Sequence, residues 1–138
     1  MAHRLALTAL LVTDYDEAID FYTRALRFTL LQDSRLSEHK RWVVVSPSDP
    51  AAGAPAGCAL LLARAADEAQ RAVVGRQGGG RVWLFLHTDD MDADLAHFRA
   101  HGVRLAEAPR DEPYGRVVVF LDLYGNRWDL VQPATGIS

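Results

Sequence analysis

An α+β fold, built twice from one β-α-β-β-β unit, is what three features of this 138-residue sequence predict. Strand-to-helix junctions fall at Asp14 and Asp90, 76 residues apart, and Asp16/Asp92 and Tyr22/Phe98 follow in step. After each junction come short runs rich in Val, Leu and aromatic residues, bounded by turn formers, which read as strands. Neither half has helices enough to cover both faces of a four-stranded sheet. Each helix therefore lies on one face, and the other faces close on each other or on a ligand.

The first half begins with Leu5–Thr13 (LALTALLVT), an apolar run that fits either a strand or a buried helix. The next residues decide for a strand. Asp14-x-x-Glu17 has the spacing of a helix N-cap and its partner three residues on. Ala18, Phe21, Tyr22, Ala25 and Leu26 then form one apolar helical stripe. Phe28–Gln32, Arg41–Ser46 (RWVVVS) and Cys58–Ala63 (CALLLA) are the following strands. Pro47–Gly57 between the last two is a surface loop by its Pro, Gly and Ala content. Asp67–Val74 allows a short helix stopped by Gly75, and Gln77–Gly80 reads as a flexible connector.

The second half repeats the order. Arg81–Thr88 (RVWLFLHT) is a strand, Asp90 caps a helix with the stripe Met91, Leu95 and Phe98, and Gly102 suits its left-handed end. Val103–Ala106, Val117–Asp122 and Arg127–Gln132 complete the strands, the last two joined through a turn at Tyr124–Asn126. The expected organisation is a single domain, 1–138, of two halves at about 1–76 and 80–133.

Composition excludes several classes. The formal charge of −3 and the lack of a basic run argue against nucleic acid as a partner. The single cysteine, Cys58, cannot form an internal disulfide, and the cysteine patterns of zinc sites are missing. No apolar stretch reaches the ~18 residues of a membrane span. The opening Met-Ala-His-Arg-Leu lacks the layout of a signal peptide, so the expected location is the cytoplasm.

Three passages carry a family likeness. Val12-Thr-Asp-Tyr-Asp-Glu-Ala-Ile-Asp-Phe-Tyr22 is similar to a V-x-D-x-x-x-(S/A)-x-x-F-Y helix start. Thr88-Asp-Asp-Met-Asp92 running to His101-Gly-Val103 is the second. Phe120-Leu-Asp-Leu-Tyr-Gly-Asn-Arg-Trp-Asp-Leu130 is similar to an F-x-D-P-D-G-N-x-x-E-L ending, and is the most specific. Together they resemble the vicinal oxygen chelate superfamily, the glyoxalase, bleomycin-resistance and ring-cleaving dioxygenase group. The resemblance implies two βαβββ modules in a cup-shaped mixed sheet with the helices outside, and a homodimer. Two departures affect folding. Arg27 stands where the family has Gly, so it must accept a left-handed backbone or reshape the turn, at about 1 kcal/mol. Leu123 and Tyr124 replace the proline and aspartate of the last motif, while Gly125 and Asn126 keep its turn.

Enzymes of this superfamily hold a divalent metal with His, Glu or Gln from four strands. Carried over position by position, those registers fall on Leu7, on Trp83 or Val82, within Cys58–Ala63, and on Asp129. Only Asp129 offers an oxygen, and even open catalytic sites use about three protein ligands. The expectation is no metal and no other cofactor.

Period-two alternation puts Trp83, Phe85 and His87 on one strand face, with Leu84 and Leu86 toward the helix. These rings either line a pocket for a flat or apolar molecule or fill the core. By the same rule Arg127 and Asp129 share a face, where Asp129 either meets a ligand or pairs with Arg127 or His87. Tyr114 and Arg116 begin a strand that forms a pocket rim or an exposed turn. Trp42 is a pocket or core residue, and Lys40 and Arg41 attract an anion at a mouth or form a solvated charge pair. His97 and His101 have metal-binding spacing on an exposed helix face but no third ligand. His3 and His39 read as terminus and loop, Cys58 as a small buried hydrophobe.

Two functions remain in view. One is a metal-independent protein binding a small aromatic or apolar molecule through Trp42, Trp83, Phe85, His87, Tyr114, Arg116, Arg127 and Asp129. The other is a lyase- or dioxygenase-like enzyme of the same superfamily.

Overall fold

The computed structural model describes residues 1–54 and 57–135. Residues 55 and 56 of the expected Pro47–Gly57 loop lie outside them. The chain divides into two compact units, Met1–Val74 and Gly75–Ser138, each with its own sheet.

In the first unit the strands β1 (Leu7–Val12), β2 (Thr29–Arg35), β3 (Arg41–Ser46) and β4 (Ala59–Arg64) lie in the order β1-β4-β3-β2. β1 and β4 are parallel and the other pairs antiparallel. The crossover between β1 and β2 is helix α1 (Tyr15–Asp20), which continues into a π-helical turn over Phe21–Ala25. Asp14 starts α1, its carboxylate accepting the Glu17 N–H at 2.8 Å, and Glu17 in turn accepts from the Thr13 hydroxyl at 2.8 Å. The helical stripe packs as expected. Ala18, Tyr22 and Ala25 have no exposed surface and Leu26 almost none, with the Tyr22 ring edge-on to Phe28 at 5.3 Å. Phe21 is only half-buried, because the widened turn rotates it off the stripe. Leu10, Val12, Val43, Val45, Leu60 and Leu62 meet this helix layer as the core. Arg27 does adopt a left-handed backbone, φ +61°.

Arg41 ties β3 to β2 and to helix α1. Its guanidinium contacts Asp33 at 2.7 Å and Asp16 at 3.0 Å and lies 5.1 Å from the Tyr15 ring centre. The hydrogen bonds it donates to Asp33 and then to Asp16 hold it charged, so it is a structural pair rather than a free cation at a mouth. A short helix α2 (Glu68–Val73), capped by Asp67, ends the unit.

The second unit repeats this plan. Strands β5 (Val82–His87), β6 (Arg104–Leu105), β7 (Arg110–Glu112), β8 (Gly115–Leu121) and β9 (Arg127–Pro133) form a sheet ordered β5-β9-β8-β6, with β7 also on β8. Helix α3 (Met91–Ala100) is capped by Asp90, buries Met91, Leu95 and Phe98, and ends at Gly102 with φ +71°. Phe98, Phe120 and Trp128 then stack inward, with centroids 5.0 and 5.8 Å apart.

Three expectations change. β2 extends to Arg35, because a bulge at Leu31 lets the pairing with β3 continue. The corresponding strand of the second unit is broken into β6 and β7, and Arg110–Glu112 was not foreseen. The glycine segment is not a free connector. The Gln77 N–H donates to the Asn126 side chain at 2.9 Å, and a Cβ on Gly75 would lie 2.1 Å from the Tyr124 carbonyl oxygen.

Asn126 belongs to a buried polar knot at the β8–β9 turn. Asp122 and Asn126 are 1% and 2% exposed. One Asp122 oxygen accepts the N–H groups of Tyr124 and Asn126 at 3.0 and 2.9 Å, and the other accepts the Asn126 amide at 2.9 Å. A buried carboxylate is tolerated when its lone pairs are filled in this way.

Two stability measurements follow. Arg27→Gly removes the left-handed strain and raises the urea midpoint, by about 0.5–1 kcal/mol in unfolding free energy with unchanged slope. Asp122→Ala strands buried donors and lowers stability by about 3 kcal/mol in the same assay.

Candidate functional site

The helix layer of the first unit leaves the opposite sheet face open. Alternation places Leu7, Ala9 and Leu11 of β1, Ala59, Leu61 and Ala63 of β4, and Trp42, Val44 and Ser46 of β3 on that face. It is hydrocarbon apart from Ser46, whose hydroxyl accepts the Ser48 N–H at 3.2 Å. Two clefts meet at Trp42. One, of about 380 Å³, is lined by Leu7, Leu31, Trp42, Val44 and Ala59 among others. The other, of about 800 Å³, has Leu11, Trp42, Leu61 and Ala63 in its wall, with Lys40, Arg64, Gln70 and Arg71 around them. Both volumes suit a small organic ligand.

The second unit has an open face of different character. Phe85 on β5 is in register with Asp129 on β9, which is in register with Val119 on β8. Phe85 is 66% exposed, whereas Asp129 is 6% exposed. Asp129 Oδ1 is buried and has no hydrogen-bond partner among the described residues. Burial is the main cause that pushes the Asp129 carboxyl above its ordinary value. Glu107 adds to this and Arg110 opposes it. Arg110 itself is held charged by Glu112, at 2.9 Å, with Glu107 and the Tyr114 hydroxyl also engaged. His87 is exposed beside a separate cleft of about 710 Å³ that includes Thr88, Asp89 and Gln132.

With both faces described, comparison with known proteins gives the lineage. The family model of the Glyoxalase/Bleomycin resistance protein/Dioxygenase superfamily matches residues 4–130. The chain belongs to this superfamily. An uncharacterized protein of Shewanella frigidimarina (strain NCIMB 400) is 48% identical over 133 residues, 96% of this chain and 95% of the relative. Among solved structures, TnmS3, an antibiotic binding protein from Streptomyces sp. CB03234, is 31% identical with a TM-score of 0.71, covering 97% of this chain and 98% of its own. UcmS2 is 28% identical with a TM-score of 0.79, covering 95% and 98%.

The superfamily's metal registers can be tested against these faces. In the first unit they present Leu7 and the hydrocarbon of Ala59, Leu61 and Ala63, none of which has a lone pair for a cation. In the second they present one carboxylate, Asp129, which is buried. Among the described residues no three His, Cys, Asp or Glu gather as a metal-binding group. The donors do not fit the superfamily's divalent ion.

The strand-face reading needs correction at Trp83. Trp83 does not share a face with Phe85 and His87. Val82 pairs with Arg127 and Leu84 with Trp128, so Trp83 is an extra, bulged residue, and its ring packs edge-on to Trp128 at 5.5 Å on the helix side. Arg116 also points to the helix side, where it donates to Asp92 at 2.7 Å. Trp42, Phe85 and Asp129 stay on open faces, with Arg127 exposed and Tyr114 45% exposed at the β7–β8 turn. Asp129 has Arg110 and Glu107 as its charged neighbours, and no ion pair joins it to Arg127 or His87 among the described residues.

His97 and His101 are half-buried rather than exposed, their rings 4.0 Å apart. Cys58 is likewise half-buried, its sulfur 3.2 Å from the Thr8 hydroxyl. Sequence reasoning missed Arg110, Glu107, Leu61, Arg64 and Arg71. The first two lie on the unforeseen strand and the turn before it, so no alternation could assign them.

The raised Asp129 carboxyl fixes a pH dependence. Because the folded protein holds this proton more tightly than the unfolded chain, stability falls as pH rises from the ordinary value of 3.8 through the higher folded value. Asp129→Asn is expected to flatten that fall and to leave the protein more stable at pH 7, as read by thermal unfolding across pH.

Proposed function

We propose that this chain is a metal-independent binding protein for a flat, aromatic or apolar small molecule, taken on the open sheet face around Trp42. The observation that carries the reading is the composition of that face. Where the superfamily's enzymes need metal donors, it offers Leu7 and the hydrocarbon of Cys58–Ala63, beside the accessible indole of Trp42. Hydrocarbon and an aromatic ring favour a ligand by area and stacking and have nothing to give an ion. The likeness to TnmS3, an antibiotic binding protein, at 31% identity over nearly the whole chain, supports the same class of function. On the second unit Phe85, His87, Tyr114, Arg127 and Asp129 offer a further ring and polar groups. No described helix is long and apolar enough to cross a membrane, and we place the protein in the cytoplasm as a homodimer whose partner covers part of the exposed apolar surface.

Calorimetric titration with a panel of aromatic antibiotics, in the presence of a chelator, tests the proposal. At least one compound is expected to bind without metal, and Trp42→Ala to weaken it about tenfold, roughly 1.4 kcal/mol. Titration with nickel or zinc is expected to show no stoichiometric uptake. Metal-dependent turnover of a hemithioacetal or a catechol, lost in Asp129→Ala, would overturn the reading.

A further inference from the structure

The geometry points to an anionic aromatic molecule, a planar ring system bearing a carboxylate or sulfonate, as the ligand of the larger cleft beside Trp42. This deepens the function proposed above and rests on it. Of the fourteen residues lining that cleft five are basic and none is acidic, in a chain whose formal charge is −3. Arg41 is already neutralised by Asp33 and Asp16. Lys40, Arg64 and Arg71 are exposed and have no ion-pair partner among the described residues. Lys40 is the chain's only lysine. Three elements thus bring uncompensated cations to one apolar hollow: the turn before β3, the end of β4 and helix α2. Gln70 stands beside them as a neutral donor, although its carbonyl already accepts from Ala66.

The smaller cleft on the same face has a single basic residue in its lining, Arg4, so the charge is a property of this hollow rather than of the face. Trp42 and Leu61 would take the ring while the guanidinium groups take the anion in their planar fork. The ring has to enter with its charged end outward, toward solvent, because the cations stand at the rim and the floor is hydrocarbon.

Calorimetry with 2-naphthoate and its neutral isostere 2-naphthamide, under chelator and at low salt, tests this. The naphthoate is expected to bind about tenfold tighter, with the gap shrinking as salt rises because the cations are exposed. Lys40→Gln/Arg64→Gln/Arg71→Gln should bring naphthoate down to the naphthamide affinity and leave naphthamide unchanged, and Lys40→Gln alone should remove part of the gap. Circular dichroism confirms that these surface variants fold. Equal affinities for the two probes would overturn the anion inference and leave the aromatic-binding function standing, provided Trp42→Leu weakens both. A gap that survives the triple variant undiminished would overturn the assigned cleft. Binding of neither probe, or binding indifferent to Trp42→Leu, would overturn the underlying function as well.

Discussion

One helix cannot cover both faces of a four-stranded sheet, and that shortage shapes each unit of this protein. In the first unit α1 and its π-helical turn take up Leu10, Val12, Val43, Val45, Leu60 and Leu62, and the short helix α2, none of whose residues is buried, borders the other side without covering it. Hydrophobic burial stabilises the covered face. The uncovered face carries its apolar residues without that return, so it is available for something else to bury. The second unit obeys the same rule through Phe98, Phe120, Trp128 and Leu130, leaving Phe85 in solvent on the far side.

The two units solve one topological problem with unequal surfaces. The open face of the first is almost wholly hydrocarbon. That of the second holds a buried carboxylate, Asp129, among aromatic and charged neighbours. Their third elements also diverge in a related way. A bulge at Leu31 interrupts β2 but leaves it whole, and at the matching place, 76 residues on, Glu107 sits in the gap between β6 and β7. An extra residue that one strand absorbs as a bulge has become a break in the other.

Caps and stripes were legible from the residues alone, because an Asp N-cap and a 3.6-residue spacing are local signals. Asp14 and Asp90 start their helices as read, and the left-handed turn at Arg27 followed from a side chain standing in a glycine position. Strand faces were harder. In Cys58–Ala63 both faces are apolar, so alternation cannot say that Leu60 and Leu62 enter the core while Leu61 and Ala63 do not. At Trp83 the alternation was readable but false, since a bulge depends on pairing with a strand more than forty residues away. Of the cations around Trp42 only Lys40 was read as a residue at a mouth, and its grouping with the others was hidden for a similar reason. Lys40, Arg64 and Arg71 are separated in sequence and meet only through the β3–β4 pairing and α2. The Gln77–Gly80 segment looked like a tether because glycine reports freedom in an isolated chain and says nothing of a carbonyl waiting against it.

The polar knot of Asp122 and Asn126 has a consequence for how such chains diverge. The stretch by which this sequence is most readily placed among its relatives is occupied with closing a turn and anchoring the Gln77 backbone. Asp122 and Asn126 spend their hydrogen bonds on each other and on the turn, while Arg127 and Asp129 of the same stretch lie on the open face. The residues that close this turn can therefore persist while the side chains on the open sheet faces change beside them. A likeness carried by the turn reports descent, and it leaves the character of those faces to be read residue by residue.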